Sequence, residues 1–196
     1  MIEKEKKLHL FRNNYIIDCL IKILETYKDI EVIKRAVALL NALLRDISII
    51  EVFKDLKGLE IIAQIYIGID TEEIKGAFYV CFKLLSEIEY DLLHEMQKLG
   101  LVERLLDELE TVKNPFSQIM ILSTLINLSM NDQNNILIRQ YGVDIVGKKL
   151  LVPENVSTFC SNEQDERDTR LKVELLSLVL LRFLYSVEKN RKAFRI

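Results

Sequence analysis

"QKLGLVERLLDEL", residues 97–109, sets a glycine between two pieces of helical sequence in a chain that has only six glycines among 196 residues. The same form recurs as "DLKGLEIIAQIY" at 55–66 and "RQYGVDIVGKKLL" at 139–151. The three glycines, Gly58, Gly100 and Gly142, are spaced 42 and again 42 residues apart. Each follows a short amphipathic piece and precedes an apolar run of helical period. Glycine reaches positive φ without a steric penalty, so it can close one helix and release the next at an angle. Upstream, "LFRNNYIIDCLIKIL" has the same layout with Asn14 at the glycine position, and asparagine is the next best residue for a left-handed backbone.

A longer amphipathic segment follows in each unit. "DIEVIKRAVALLNALLRD" (29–46) carries Ile33, Ala36, Val37, Leu40, Leu43 and Leu44 at the spacing of one helix face. "TEEIKGAFYVCFKLLSEI" (71–88) opens on Thr71 as an N-cap, and "NPFSQIMILSTLINLSMN" (114–131) opens Asn-Pro, which suits a first helical turn. "DTRLKVELLSLVLLRFLYSVE" (168–188) closes the series. The grammar is short helix, bend, helix, short loop, long helix, with units at 1–46, 47–88, 89–131 and 132–188. The segment 189–196, in "VEKNRKAFRI", reads as the first helix of a fifth unit. A period near 40–47 residues belongs to helical solenoids. The equal spacings weigh against an irregular bundle. In unit four a polar stretch at 152–169, "VPENVSTFCSNEQDERDT", reads as an insertion loop. Such insertions often lie on a binding face, and they are also tolerated as plain surface loops.

These units resemble armadillo repeats. The resemblance rests on Gly58, Gly100 and Gly142 and on an Ala-Leu-x-Asn-Leu pattern late in the third helix. "STLINLSMNDQNN" (123–135) fits that pattern best through Leu125, Asn127 and Leu128. "VALLNALL" puts Ala42 at the asparagine position, "YVCFKLL" puts Lys83 there, and the fourth unit is open between Arg182 and Phe183. HEAT repeats are the neighbouring class, with two helices per unit and without this glycine. The fold that the resemblance implies is an all-α, right-handed α-solenoid of about four three-helix repeats plus the first helix of a fifth. Such arrays bury each unit against its neighbours, so the reading expects a longer array or end-to-end self-association.

Armadillo-like arrays bind extended segments along the groove lined by their third helices. Carried onto this chain, that groove contains Lys34, Ala38, Lys75, Tyr79, Lys83, Ser123 and Asn127. Arrays of the importin-α kind use tryptophan and asparagine ladders there, whereas this chain has no tryptophan, and of the positions compared only Asn127 is an asparagine. The three lysines suit an acidic or phosphorylated segment by charge complementarity, and they suit equally an ordinary solvated helix face. The function expected is a non-catalytic protein–protein interaction scaffold. The alternative is a regulatory armadillo-like module, such as a formin-type autoregulatory domain or a chaperone nucleotide-exchange factor.

Composition agrees with a packed helical chain. Hydrophobic residues make up 49 % and charged residues 29 %, with a net charge of −3. The pI near 5.6 lacks the basic footprint of a nucleic-acid binder. Cys19, Cys81 and Cys160 form no CxxC pair and read as reduced thiols in the cytoplasm or nucleus. "LLSLVLLRFLY" is broken by Arg182 and too short to span a membrane. "HEMQK" at 94–98 starts like a zinc-protease HExxH and ends on Lys98, so the second ligand is missing, and His9 lies elsewhere. No phosphate loop or nucleophile motif is present, so neither catalysis nor a cofactor or metal is expected.

Overall fold

The computed structural model describes residues 15–88, 90–151 and 159–193, which form ten helices and no strand. The chain divides into two compact units, 1–88 and 89–196.

In the first unit, α1 (15–26) buries Ile17, Leu20, Ile21 and Leu24, one face at helical spacing. Asp29 caps α2 (Ile30–Leu43) by accepting from Val32 N at 3.0 Å. The expected apolar face of this helix is inside at Ile33, Ala36, Val37 and Leu40. Asp46 caps α3 (Ile47–Asp55) through Ser48 N and Ser48 Oγ. The chain then turns through Lys57 into α4 (Gly58–Ile67), and α5 (Glu72–Ile88) begins directly after Thr71. Around Tyr66 of α4 stand the rings of Phe78, Tyr79 and Phe82 of α5, with centroids 5.9, 6.0 and 5.1 Å away. All four side chains are fully buried. Each such ring contributes roughly 1.5–3 kcal/mol by leaving water, which makes this cluster the centre of the unit.

α2 and α5 pack side by side and run in the same direction. Lys34 pairs with Glu73, and Asn41 Nδ2 donates to Ala77 O at 2.8 Å. These partners are 39 and 36 residues apart, close to the sequence period.

The second unit repeats that relation. α6 (Tyr90–Lys98) and α7 (Leu101–Thr111) meet at Gly100 and both pack on α9 (Asp132–Leu151). Asn134 Nδ2 donates to Leu93 O of α6, 41 residues away, and Lys148 pairs with Glu110 of α7, 38 residues away. Asn114 caps α8 (Pro115–Leu128) by accepting from Phe116 N and Ser117 N, with proline in the first turn as expected. The carbonyl of Val112, which ends α7, accepts from Gln118 Nε2 at 2.9 Å and from Lys149 Nζ at 3.2 Å. One backbone oxygen thus ties α8 and α9 to the end of α7. The last helix, α10 (Glu163–Ala193), packs on α8 and α9 through Val173, Ser177, Leu180 and Leu184.

In the second unit three expectations change. Gly142 makes no bend: α9 runs unbroken from Asp132 to Leu151, and Gly142 lies in mid-helix where a Cβ would stand 2.7 Å from Leu106 Cδ2 of α7. Its missing side chain admits a neighbouring helix, while its backbone conformation is ordinary. The polar stretch 152–169 is not one loop, because α10 already begins at Glu163. Asn162 accepts from Asp165 N at 2.9 Å while Asp165 accepts from Ser161 N and Oγ, so the acidic and amide residues form a helix start. Finally, α10 continues through 188 to Ala193, so no new helix begins at 189. Asn14, His9 and residues 152–158 and 194–196 lie outside the described residues.

The two other glycines also divide their duties. Gly100 holds φ +71° as the left-handed residue between α6 and α7, as its sequence context predicts. At the first bend the left-handed residue is Lys57, φ 53°, one position before Gly58. A Cβ on Gly58 would overlap the Phe53 ring, so this glycine serves close packing of α3 on α4.

Candidate functional site

The third-helix positions fall into two groups. On α2, Ala38 and Ala42 are exposed, Leu39 between them is 48 % exposed, and Lys34 is partly exposed. Small residues flanking a solvent-facing leucine form a shallow strip that a peptide backbone can approach. On α8 the open line is Phe116, Met120, Ser123 and Asn127, at intervals of four, three and four residues. Phe116 is 54 % exposed and the other three partly so. Ser123 Oγ donates to Ile119 O at 2.7 Å within its own helix. Ser123 and Asn127 therefore share one face of α8, and Ala38 and Lys34 share one side of α2.

α5 is different. Lys75 is 7 % exposed and Tyr79 fully buried, so the open line of this helix shifts to Gly76, Val80 and Lys83. The cause is the wide buried arc of α5, which packs on α2 and on α4. It buries Ile74, Phe78, Cys81, Phe82 and Leu85 as well, on more than one side. A position one turn before an open residue is then still inside.

The lysines are already matched. Lys34 and Glu73 hold each other in their charged forms, which raises the ammonium above its ordinary pKa and lowers the carboxyl below its own. Lys83 Nζ donates to Glu87 Oε1 at 2.6 Å, one turn along α5. Charge on this side is thus largely compensated, and shape and small side chains distinguish the surface.

Among the described residues, no three His, Cys, Asp or Glu side chains gather as a metal site. His94 is partly buried on α6, with Lys98 exposed one turn on. Cys81 is fully buried, and desolvation of the thiolate pushes its thiol far above the usual range, whereas Cys19 and Cys160 are partly exposed. No helix among the described residues is long and apolar enough to cross a membrane. In comparison with known proteins, the chain matches no family model, no curated protein and no solved structure.

Sequence reasoning passed over one surface. In "LKVELLSLVLLRFLY", Leu171, Leu175, Leu178 and Tyr185 of α10 are each more than half exposed. The available signal was a pair of apolar lines on one helix, offset by two residues.

Proposed function

We propose that this chain is a non-catalytic interaction scaffold, built of armadillo-like helical units, that holds a protein or peptide segment against the outward faces of its longer helices. The observation that carries this reading is the parallel, side-by-side packing of α2 and α5. Parallel helices stacked about one period apart are the packing unit of a repeat array, and such arrays bind extended segments along their length. Each unit offers its own contact surface: the open small-residue strip at Ala38 and Ala42 in the first, and the line Phe116, Met120, Ser123 and Asn127 in the second. Because Lys34 and Lys83 are matched by Glu73 and Glu87, the partner is selected by apolar contact and backbone hydrogen bonding more than by acidity.

Site-specific photo-crosslinking in extracts of the native cell tests this. A crosslinker at Ala38 or Ser123 captures a discrete partner, and Ala38→Arg or Ser123→Arg abolishes that capture while the helical signal and melting temperature are retained. Capture that neither substitution weakens would remove these faces from the reading.

A further inference from the structure

α10 carries two apolar lines of the same spacing on opposite sides. Val173, Ser177, Leu180 and Leu184 are buried against α8 and α9. Leu171, Leu175, Leu178 and Tyr185 are exposed, and Arg182 stands in the same line between the last two. Single exposed leucines are ordinary, but intervals of four, three, four and three residues are the a/d seam of a coiled coil. Neighbours three and four apart on a helix lie side by side, so the exposed line is continuous. Four such side chains amount to an apolar strip on the order of 400 Å², the size that marks an interaction surface.

The spacing also identifies the geometry of what covers it. A seam repeating every 3.5 residues accepts the knobs of another helix with the same repeat. A membrane surface fits poorly, because helices that lie on membranes carry a mainly basic polar face, whereas Asp165, Glu166, Asp168 and Glu174 stand on α10 beside its basic residues.

We infer that the covering helix is α10 of a second copy, laid antiparallel. The line is charged asymmetrically: Asp168, one turn before Leu171, is exposed at one end, and Arg182 lies toward the other. With Leu175 of one copy opposite Leu178 of its partner, Arg182 of each copy falls beside Leu171 of the other, within one helical turn of Asp168. The twofold axis repeats that contact at both ends. A parallel, in-register pair would instead set Asp168 on Asp168 and Arg182 on Arg182. The surface is therefore self-complementary in one orientation, as an isologous interface requires. Strips of this size from two copies, with their polar flanks, approach the roughly 1,200 Å² of the smaller specific interfaces. This inference is independent of the groove reading.

Sedimentation equilibrium of the whole chain across the micromolar range decides it. A reversible dimer is expected, and Leu175→Glu with Leu178→Glu makes the chain monomeric while its helical signal and melting temperature hold. Asp168→Arg and Arg182→Asp singly weaken the dimer by about tenfold, and the double variant D168R/R182D restores it. Because a parallel seam already sets like charges together, charge reversal would not weaken it, so unchanged single variants overturn the antiparallel register. A chain that stays monomeric throughout, or a dimer unmoved by the paired glutamates, overturns the inference.

Discussion

Gly58, the first residue of α4, lies against the ring of Phe53 in α3 so closely that a Cβ would occupy ring space. Phe53 is itself fully buried, so the ring has nowhere to retreat. Gly58→Ala is therefore expected to destabilise by about 1–3 kcal/mol, the usual range for overpacking a core. Urea unfolding of G58A in the wild-type and F53L backgrounds checks the cause. The penalty is smaller beside the smaller leucine, and an equal penalty in both backgrounds would mean that the ring is not the obstacle.

Among the described residues, Lys57 and Gly100 are the left-handed residues at helix bends, and they make opposite predictions. A non-glycine residue in this region is strained by about 1–2 kcal/mol, so Lys57→Gly is expected to raise stability, by somewhat less than that because glycine also frees the unfolded chain. At Gly100 no atom would meet a Cβ within 4 Å, so substitution there meets backbone strain alone. Gly100→Asn is the mildest change, Gly100→Ala costs about 1 kcal/mol, and the β-branched Gly100→Val costs more. Melting temperatures in that order bear out the left-handed bend; equal values for asparagine and valine would refute it.

These residues also show where sequence stops being readable. Asn114-Pro115, the buried face of α2 and the Gly100 bend were legible because each depends on local chemistry. Gly142 was not, because glycine serves either positive φ or the lack of a Cβ, and neighbouring sequence does not say which. At Gly142 the reason lies 36 residues away in Leu106. Tyr79 was placed on an open face because helical period locates a stripe but does not tell how wide an arc the helix buries. The exposed line of α10 went unread for a related cause: two apolar lines on one helix both satisfy the same period.

The glycines inside helices extend the contrast. Gly76 in α5 and Gly147 in α9 have open space where a Cβ would go. Each alanine replacement should stabilise by up to about 1 kcal/mol, the difference in helix propensity. Gly142→Ala gains the same propensity but must displace a terminal methyl of Leu106, so its net effect lies near zero and well short of the loss at Gly58. Denaturant midpoints of G76A, G147A and G142A, compared at constant slope, separate propensity from packing. Stabilisation of equal size in all three would show that Leu106 yields freely.

Thiol chemistry offers a test of the interior of the first unit. Cys81 is fully buried, and its thiolate is suppressed by desolvation, while Cys19 and Cys160 reach solvent in part. Because the thiolate is the nucleophile, a disulfide reagent should modify two thiols of the native chain readily and the third only on unfolding. Mass mapping assigns the slow one to Cys81. Rapid modification of Cys81 below the unfolding transition would mean that α5 opens locally.

The Lys34–Glu73 pair links α2 to α5 and should leave a signature in pH. Glu73 has its pKa lowered in the folded chain by the hydrogen bond and charge of Lys34, so its contribution is present above its unfolded value and disappears as pH falls through the folded one. Lys34 has its pKa raised by the same hydrogen bond, so its contribution is complete below the unfolded lysine value and is lost as pH rises through the folded one. The pair therefore acts across the neutral range and fails at both extremes. Glu73→Gln is expected to lower stability modestly at neutral pH and to make no difference in acid below the folded pKa of Glu73, where the wild-type carboxyl is also uncharged. Added salt should shrink the neutral-pH difference, since both groups stand at the surface. The measurement is the stability difference between wild type and E73Q followed against pH. A difference that persists unchanged into acid would assign the effect to altered packing of α2 on α5, with no role for the ion pair.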